Sequence, residues 1–129
     1  MTARAGLDWV VGTMLRMSID DVESAAFAGS VRVRLNGPVQ IGGVGYAVHP
    51  AFRGRGYTAR ALRLLVVWAF DVAGLARLEL GAKRENVASQ KAAMPGGFEY
   101  DGVMAGRLRE ADGSFSDEVR FALTNPRYR

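Results

Sequence analysis

Residues 49–62, HPAFRGRGYTARAL, connect a predicted strand to a predicted helix through a turn of glycine and arginine. The residues before this turn, QIGGVGYAV at positions 40–48, are typical of a strand, and residues 58–73 carry apolar side chains at helical spacing. A glycine-rich turn before a helix presents unpaired backbone N–H groups at the positive end of the helix dipole. The stretch therefore predicts a strand–loop–helix unit that binds an anion, and phosphate is the usual ligand of such a loop.

The segments on either side of this unit predict a mixed sheet. Period-two alternation and turn residues predict six strands, at residues 14–19, 30–35, 40–48, 76–82, 98–109 and 115–123. Two helices are predicted at residues 58–73 and 86–94, ending before Gly74 and Pro95 respectively. The order of these elements predicts an α/β fold whose sheet is mixed, mostly antiparallel, and contains one central strand–helix–strand crossover. Residues 1–13 give no clear pattern, and the glycines of residues 40–48 indicate a bulge or a close approach of a ligand.

The composition indicates a single globular domain over residues 1–129, which we expect in the cytoplasm. The chain is 49% hydrophobic and 23% charged, and no apolar run approaches the ~20 residues that cross a bilayer. Its first residues lack the apolar centre of a signal peptide. The absence of cysteine excludes a disulfide framework and a thiolate nucleophile, and a single histidine argues against a zinc site. No metal is therefore predicted.

The basic charge of the chain does not indicate a nucleic-acid-binding protein. The formal net charge is +4 and the isoelectric point is near 10.0. Arginine supplies 15 of the 17 basic residues, but these are spread among 13 acidic residues without a basic tail. We therefore do not expect nucleic acid as the main partner, because such proteins concentrate their positive charge on one stripe or tail.

Two nucleotide-binding motifs compete for the glycine–arginine turn. A Walker A loop requires a lysine followed by serine or threonine, and the turn contains neither at the required place. The spacing Gly54-x-Gly56-x-x-Ala59 fits the dinucleotide fingerprint, and Glu79 stands where a ribose-binding acid would follow. Against this interpretation, residues 49–53 separate the strand from the first glycine, and only one parallel crossover is predicted. A dinucleotide-binding domain remains an alternative.

A third interpretation comes from a wider resemblance. Arg53-x-x-Gly56-x-Thr58 resembles the [Q/R]-x-x-G-x-[G/A] signature of the GNAT superfamily of N-acetyltransferases. Residues 45–70 look like the central strand, pyrophosphate loop and following helix of its RimJ/RimL-like branch. The spacing of Asn86, Ser89 and Gly97-Phe98 is also similar to that branch, as is the ending GRLREADGSFSDEVRFAL. The resemblance covers residues 40–125, the best-supported part of the domain.

The resemblance implies acetyl-CoA as co-substrate and a primary amine as acceptor, either a protein N-terminus or a small molecule. Backbone N–H groups of the loop would bind the CoA pyrophosphate, a neighbouring strand edge would pair with the pantetheine arm, and Asn86 would donate a hydrogen bond to that arm. Ser89 would protonate the departing thiolate as general acid. The implied CoA-binding residues are Tyr46, Ala47, Val48, Arg53, Gly54, Arg55, Gly56, Tyr57, Thr58 and Asn86.

Each of these candidates also has a structural interpretation. Arg53 and Arg55 are equally typical of solvated loop charge. Asn86 is a suitable helix N-cap, and Ser89 is typical of a helix surface. Elsewhere, Glu79 and His49 are expected to be a strand charge and a loop residue rather than catalytic bases.

The chain departs from the family pattern in two places that bear on function. Thr58 replaces the final glycine or alanine of the signature. We also expect the chain to lack the strand and two helices that usually precede residues 14–19 in the family. In the family these helices help to form the acceptor site. A fragment, a natural short form, or a homodimer or second subunit completing the site would each explain the second departure. The alternative to an N-acetyltransferase is then a non-catalytic CoA-binding or assembly module.

Overall fold

A computed structural model of the chain describes residues 2–8, 14–36 and 40–128. Within these ranges the strands and helices follow one another as β1 (Thr2–Asp8), β2 (Met14–Asp20), β3 (Phe27–Asn36), β4 (Ile41–Val48), α1 (Tyr57–Val67), β5 (Arg77–Lys83), α2 (Val87–Ala93), β6 (Glu99–Arg109) and β7 (Phe115–Thr124). All seven strands join one sheet in the order β1-β2-β3-β4-β5-β7-β6.

The sheet has the mixed, mostly antiparallel topology predicted from the sequence. β4 and β5 pair in parallel, and every other neighbouring pair is antiparallel. The parallel pair is joined by α1, because parallel neighbours require a crossover connection. The predicted central strand–helix–strand unit is therefore confirmed.

β1 corrects the expectation that no strand precedes Met14. It pairs antiparallel with β2 along its whole length, from Thr2 opposite Asp20 to Asp8 opposite Met14. Its sequence, TARAGLD, is rich in alanine, glycine and aspartate, which are depleted in strands, so the local pattern carried little indication of one.

The core lies on one face of the sheet, here called the helix face. One row of buried side chains runs across five neighbouring strands: Leu15, Val33, Val44, Leu80 and Phe121. This row belongs to the same hydrophobic cluster as the buried residues of α1. The alternation of apolar residues along each strand produces this row, since side chains two residues apart share a face.

The buried side of the first helix ends before residue 73, the predicted end of that helix. Ala61, Leu62, Leu65 and Ala69 are fully buried, whereas Ala73 is exposed. A π-helical turn over Trp68–Val72 follows α1 and explains the difference, because its wider turn ends the regular helical spacing. Gly74 then ends the segment at φ 69°, in the position predicted for it.

β4 and β5 separate part-way along their length. Their register pairs residues 41–44 with 77–80 and stops at Val44 opposite Leu80, although β4 continues to Val48 and β5 to Lys83. The backbone of residues 45–48 therefore has no strand partner on the β5 side. An opening forms at the carboxyl ends of two parallel strands, which is where α/β sheets commonly bind ligands.

The pairing of β4 with β3 contains no bulge, one of the two predicted reasons for the glycines of β4, and packing explains one of these glycines. The register between β3 and β4 is uninterrupted from Gly29 opposite Val48 to Asn36 opposite Ile41. A Cβ atom at Gly42 would lie 2.7 Å from a methyl carbon of Val33. Glycine there lets neighbouring core side chains approach the backbone closely.

None of the helices in the described ranges is both long and apolar enough to cross a membrane.

Candidate functional site

The opening between β4 and β5 continues into a cleft of about 720 Å³. Its walls come from the end of β4, the glycine–arginine loop, the first turn of α1 and one side of α2. Ten of the eleven site residues predicted from the sequence lie together in this lining: Tyr46, Ala47, Val48, Arg53, Gly54, Gly56, Tyr57, Thr58, Asn86 and Ser89. Their roles toward a ligand remain predictions.

The loop presents backbone donors to the cleft. Gly54 and Gly56 adopt φ values of 79° and 73°, which favour glycine, and nothing lies within 4 Å of the position a Cβ atom would take at either residue. No backbone N–H group of residues 54–59 donates to another residue in the part of the chain that the structure describes. The first N–H groups of a helix lack intrahelical acceptors, so α1 adds its positive end to these donors.

The two loop arginines occupy different places. Arg53 lines the cleft, and its Nε donates a hydrogen bond of 3.1 Å to the carbonyl of Val48. The guanidinium of Arg55 lies outside the cleft lining, 5.2 Å from the centre of the Phe52 ring. The structure therefore places Arg53, and not Arg55, in the lining of the predicted phosphate site.

A buried hydrogen bond fixes the start of α1. The Tyr57 hydroxyl donates to Asp21, in the turn after β2, and Phe52 stacks on the Tyr57 ring at 6.0 Å. Asp21 also accepts hydrogen bonds from the backbone N–H and hydroxyl of Ser24, at 3.0 and 2.8 Å. These donors, that of Tyr57 most of all, lower the pKa of Asp21 to about 2. The two partners are 36 residues apart, so no local sequence pattern indicates this contact.

His49 also has a structural role. Its Nδ1 accepts a hydrogen bond of 3.2 Å from the backbone of Ala51 and caps the 3₁₀ turn Pro50–Phe52. The structure thus places His49 in the loop, as predicted, with one ring nitrogen already engaged.

The opposite wall of the cleft is the amino-terminal end of α2. Asn86 caps this helix, since its Oδ1 accepts a hydrogen bond of 3.2 Å from the backbone N–H of Ser89. The Tyr46 hydroxyl donates a 2.7 Å hydrogen bond to the carbonyl of Ser89 and so ties α2 to β4. Burial raises the pKa of Tyr46 above its ordinary value, which keeps this phenol protonated and able to donate.

Six further residues line the cleft that were not among the predicted site residues: Phe52, Ala59, Ala88, Lys91, Ala92 and Pro95. Lys91 adds a second cation to the lining beside Arg53. Ala88, Ala92 and Pro95 follow one another at spacings of four and three, so a small apolar side of α2 was visible in the sequence. Thr58, the second residue of α1, is half-buried in the same lining.

This arrangement can hold an elongated ligand with an anionic end. Free N–H donors, the positive end of α1 and Arg53 lie at the loop, and Lys91 lies in the part of the lining that α2 contributes. The edge of residues 45–48, which has no strand partner on the β5 side, can pair with an extended chain that carries amides, as an added strand would.

Comparison with known proteins identifies the family. The profile of the family described as Acetyltransferase (GNAT) domain matches residues 2–99, which is more than half of the 129 residues. The chain belongs to the GNAT acetyltransferase family. As a sequence relative, the probable N-acetyltransferase YjcK of Bacillus subtilis is 29% identical over 92 residues, covering 71% of this chain and 50% of that protein. This GNAT chain thus spans about half the length of that relative.

Solved structures share the GNAT fold of this chain. The ribosomal-protein-S5-alanine acetyltransferase of Vibrio fischeri gives a TM-score of 0.81 at 22% identity, covering 91% of this chain and 64% of that one. A mutant of the spermidine N-acetyltransferase SpeG of Vibrio cholerae gives 0.79 at 17% identity, covering 91% and 69%. At these identities the likeness shows the fold alone.

Proposed function

We propose that this chain is an N-acetyltransferase of the RimJ/RimL-like branch, which transfers acetyl directly from acetyl-CoA to a primary amine in the cytoplasm. One observation carries the proposal: the free N–H groups of residues 54–59 and the unpaired edge of residues 45–48 line one cleft, which ends where β4 and β5 separate. Family membership supports the reaction class. The name of the Vibrio fischeri neighbour, a ribosomal-protein-S5-alanine acetyltransferase, supports a protein as one kind of acceptor.

The cleft fits the parts of CoA in order. The pyrophosphate would accept hydrogen bonds from the N–H groups of residues 54–58 and contact the Arg53 side chain. The pantetheine amides would pair with the backbone of Tyr46, Ala47 and Val48. Asn86 uses its Oδ1 as a helix cap, which leaves its Nδ2 to donate to the same arm. The cap and the ligand contact are therefore compatible.

The thioester would then lie where the strands separate. CoA supplies an activated acetyl group there, and the chain has to position an amine against it. The amine nitrogen attacks the thioester carbonyl carbon, so that an amide bond forms and the carbon–sulfur bond breaks. In the same reaction the amine nitrogen loses one proton and the departing thiolate gains one. Ser89, at the half-buried start of α2 and in the cleft lining, is the proposed donor to the thiolate.

A ligand panel tests the binding half of this proposal. Acetyl-CoA, succinyl-CoA, NAD and ATP are compared by the thermal midpoint of unfolding, with each ligand in large excess. We expect acetyl-CoA at a hundred times its dissociation constant to add ~2.7 kcal/mol of stability. Stabilisation by NAD but not by either CoA thioester would instead support a dinucleotide-binding domain.

CoA release in the presence of primary amines tests the transfer. We expect turnover with at least one N-terminal peptide or small amine. Stabilisation by CoA without turnover on any amine would support the alternative, a non-catalytic CoA-binding module.

The proposed role of Ser89 has its own test. Ser89→Ala should lower kcat about tenfold or more and leave the KM for acetyl-CoA unchanged, because general acid catalysis contributes to the chemical step and not to CoA binding. Ser89→Thr keeps the hydroxyl and should retain most of the activity. An unchanged kcat in Ser89→Ala would remove Ser89 from the mechanism.

A further inference from the structure

The outer face of the sheet, opposite the helix face, carries three neighbouring arginines. Arg16 on β2 lies opposite Arg32 on β3, and Arg34 follows two residues further along β3. All three side chains are exposed. We call Arg16, Arg32 and Arg34 the arginine patch. Adjacent strands lie about 4.8 Å apart and residues two apart on a strand lie about 6.8 Å apart, so the three side chains begin within one small area.

Arg32 extends from this patch to the opening between β4 and β5. A Cβ atom at Gly45 would lie 3.0 Å from the Cζ, Nε and Nη2 atoms of Arg32, so the guanidinium lies against the Gly45 backbone. Gly45 is the first β4 residue after Val44, where the pairing with β5 stops. The charge of Arg32 therefore lies at the outer end of the opening, on the opposite side of the sheet from the cleft.

Among the residues whose contacts the structure describes, no carboxylate forms an ion pair with an arginine of the patch. Further along the outer face, Arg120 contacts Glu118 at 2.6 Å and Glu79 at 3.8 Å, and Glu79 also contacts Arg77 at 3.0 Å. No member of the arginine patch makes an ion pair with any residue in the described ranges. Paired charges thus cover the β5–β7 side, whereas the side next to the opening is left positive.

We propose that Arg32 binds a carboxylate of the acceptor, so that the acceptor is an amine with a carboxylate a short distance from its nitrogen. This inference rests on the proposed function. With CoA in the cleft, an acceptor that approached the thioester from the outer face would pass Arg32. A planar guanidinium binds a carboxylate through two parallel hydrogen bonds. Arg16 and Arg34 strengthen the attraction and repel a polyamine at the same place.

The test is a set of paired acceptors that differ by one carboxylate. C-terminally amidated Ala-Glu-Ala is compared with Ala-Gln-Ala, free alanine with alaninamide, and both pairs with spermidine, all as substrates of the full chain with acetyl-CoA. We expect kcat/KM to be about tenfold higher for the carboxylate-bearing member of at least one pair, and spermidine to be the poorest substrate. The peptide pair reports a side-chain carboxylate, and the alanine pair reports an α-carboxylate.

Arg32→Gln supplies the residue-level test, and Arg107→Gln is its matched control. Arg107 is an exposed arginine on β6, at the far edge of the sheet, so the control removes the same charge at a distance. We expect Arg32→Gln to remove the carboxylate preference by raising the KM of that acceptor, with unchanged KM for acetyl-CoA. Arg107→Gln should keep the preference.

The outcomes separate this inference from the proposed function. Turnover without a carboxylate preference, or a preference that survives Arg32→Gln, overturns the inference and leaves the acetyltransferase intact. A preference for spermidine overturns it as well. No turnover with any of the amines overturns the proposed function and this inference together.

Discussion

The two faces of the sheet serve the proposed reaction in different ways. The helix face is apolar and buried, and its cleft is lined by residues of β4, the loop, the first turn of α1 and α2. The outer face is charged and exposed, and its arginine patch consists of long side chains next to the same opening. Both lie beside the part of β4 that follows the end of its pairing with β5.

This contrast follows from what each face would bind. Pyrophosphate and pantetheine offer repeated acceptors and amides, which backbone donors and a strand edge can match without particular side chains. An acceptor amine offers one or two distinguishing groups, which only side chains can select. The helix face would therefore bind the co-substrate, whereas the outer face is where acceptors would be distinguished.

The largest expected effect comes from adding a carboxylate to the loop. Gly56→Asp places a negative charge at the start of α1, where it would occupy the free N–H groups and repel phosphate. We expect about a hundredfold weaker acetyl-CoA binding, roughly 2.7 kcal/mol, which is within the Coulomb energy of two such charges near a protein surface. Isothermal titration with acetyl-CoA measures it.

Gly113→Asp is the matched control for this substitution. Gly113 lies in the hairpin between β6 and β7 at φ 89°, with nothing within 4 Å of a Cβ atom, as at Gly56. Both variants add the same charge and similar backbone strain, but only Gly56→Asp should lose affinity. Equal affinity in the two variants would show that CoA does not bind at this loop.

Local sequence patterns predicted the unit that forms the helix face. The alternation before Pro50, the glycines of the loop and the apolar spacing after Thr58 each determine the backbone within a few residues of themselves. The strand–loop–helix unit and the order of the later strands were accordingly predicted. Most of the candidate cleft followed, because its lining is concentrated in residues 46–59 and 86–95.

Contacts between distant segments could not be predicted in this way. Tyr57 meets Asp21 across 36 residues and Tyr46 meets Ser89 across 43, and neither pair has a local pattern. The position of Arg32 over Gly45 depends on the register of β3 with β4, which a single strand does not encode. The arginine patch of the outer face was therefore not predicted from the sequence.

A smaller effect is expected from loosening the two walls of the cleft. Tyr46→Phe removes the hydroxyl that donates to the Ser89 carbonyl and leaves that half-buried acceptor without this bond. We expect the free energy of unfolding to fall by about 1 kcal/mol, the usual contribution of one such hydrogen bond. Tyr100→Phe is the control, since Tyr100 is 61% exposed and its hydroxyl donates to no described residue. Equal losses of stability in urea unfolding would contradict a role for the Tyr46 bond.

A further effect, which appears as the pH falls, is expected from the carboxylate that holds the start of α1. The pKa of Asp21 is lowered from 3.8 to about 2, first by the hydrogen bond from Tyr57 and then by those from Ser24. A carboxyl with a lowered pKa in the folded state contributes stability above its ordinary pKa and loses that contribution as the pH falls toward the folded value. We therefore expect the thermal midpoint to be steady from pH 7 to pH 5 and to fall as the pH decreases from about 4 to 2.

Two variants assign that acid transition to the Asp21–Tyr57 pair. Asp21→Asn cannot titrate, so its midpoint should change less than that of the wild type below pH 4, and the difference between the two proteins should shrink there. Tyr57→Phe keeps the carboxyl but removes the donor that lowers its pKa most, so its transition should begin at higher pH, closer to the ordinary value of 3.8. The same acid transition in all three proteins would mean that another carboxyl controls it. A shifted transition together with weaker acetyl-CoA binding in Tyr57→Phe would show that this contact also positions the loop for its ligand.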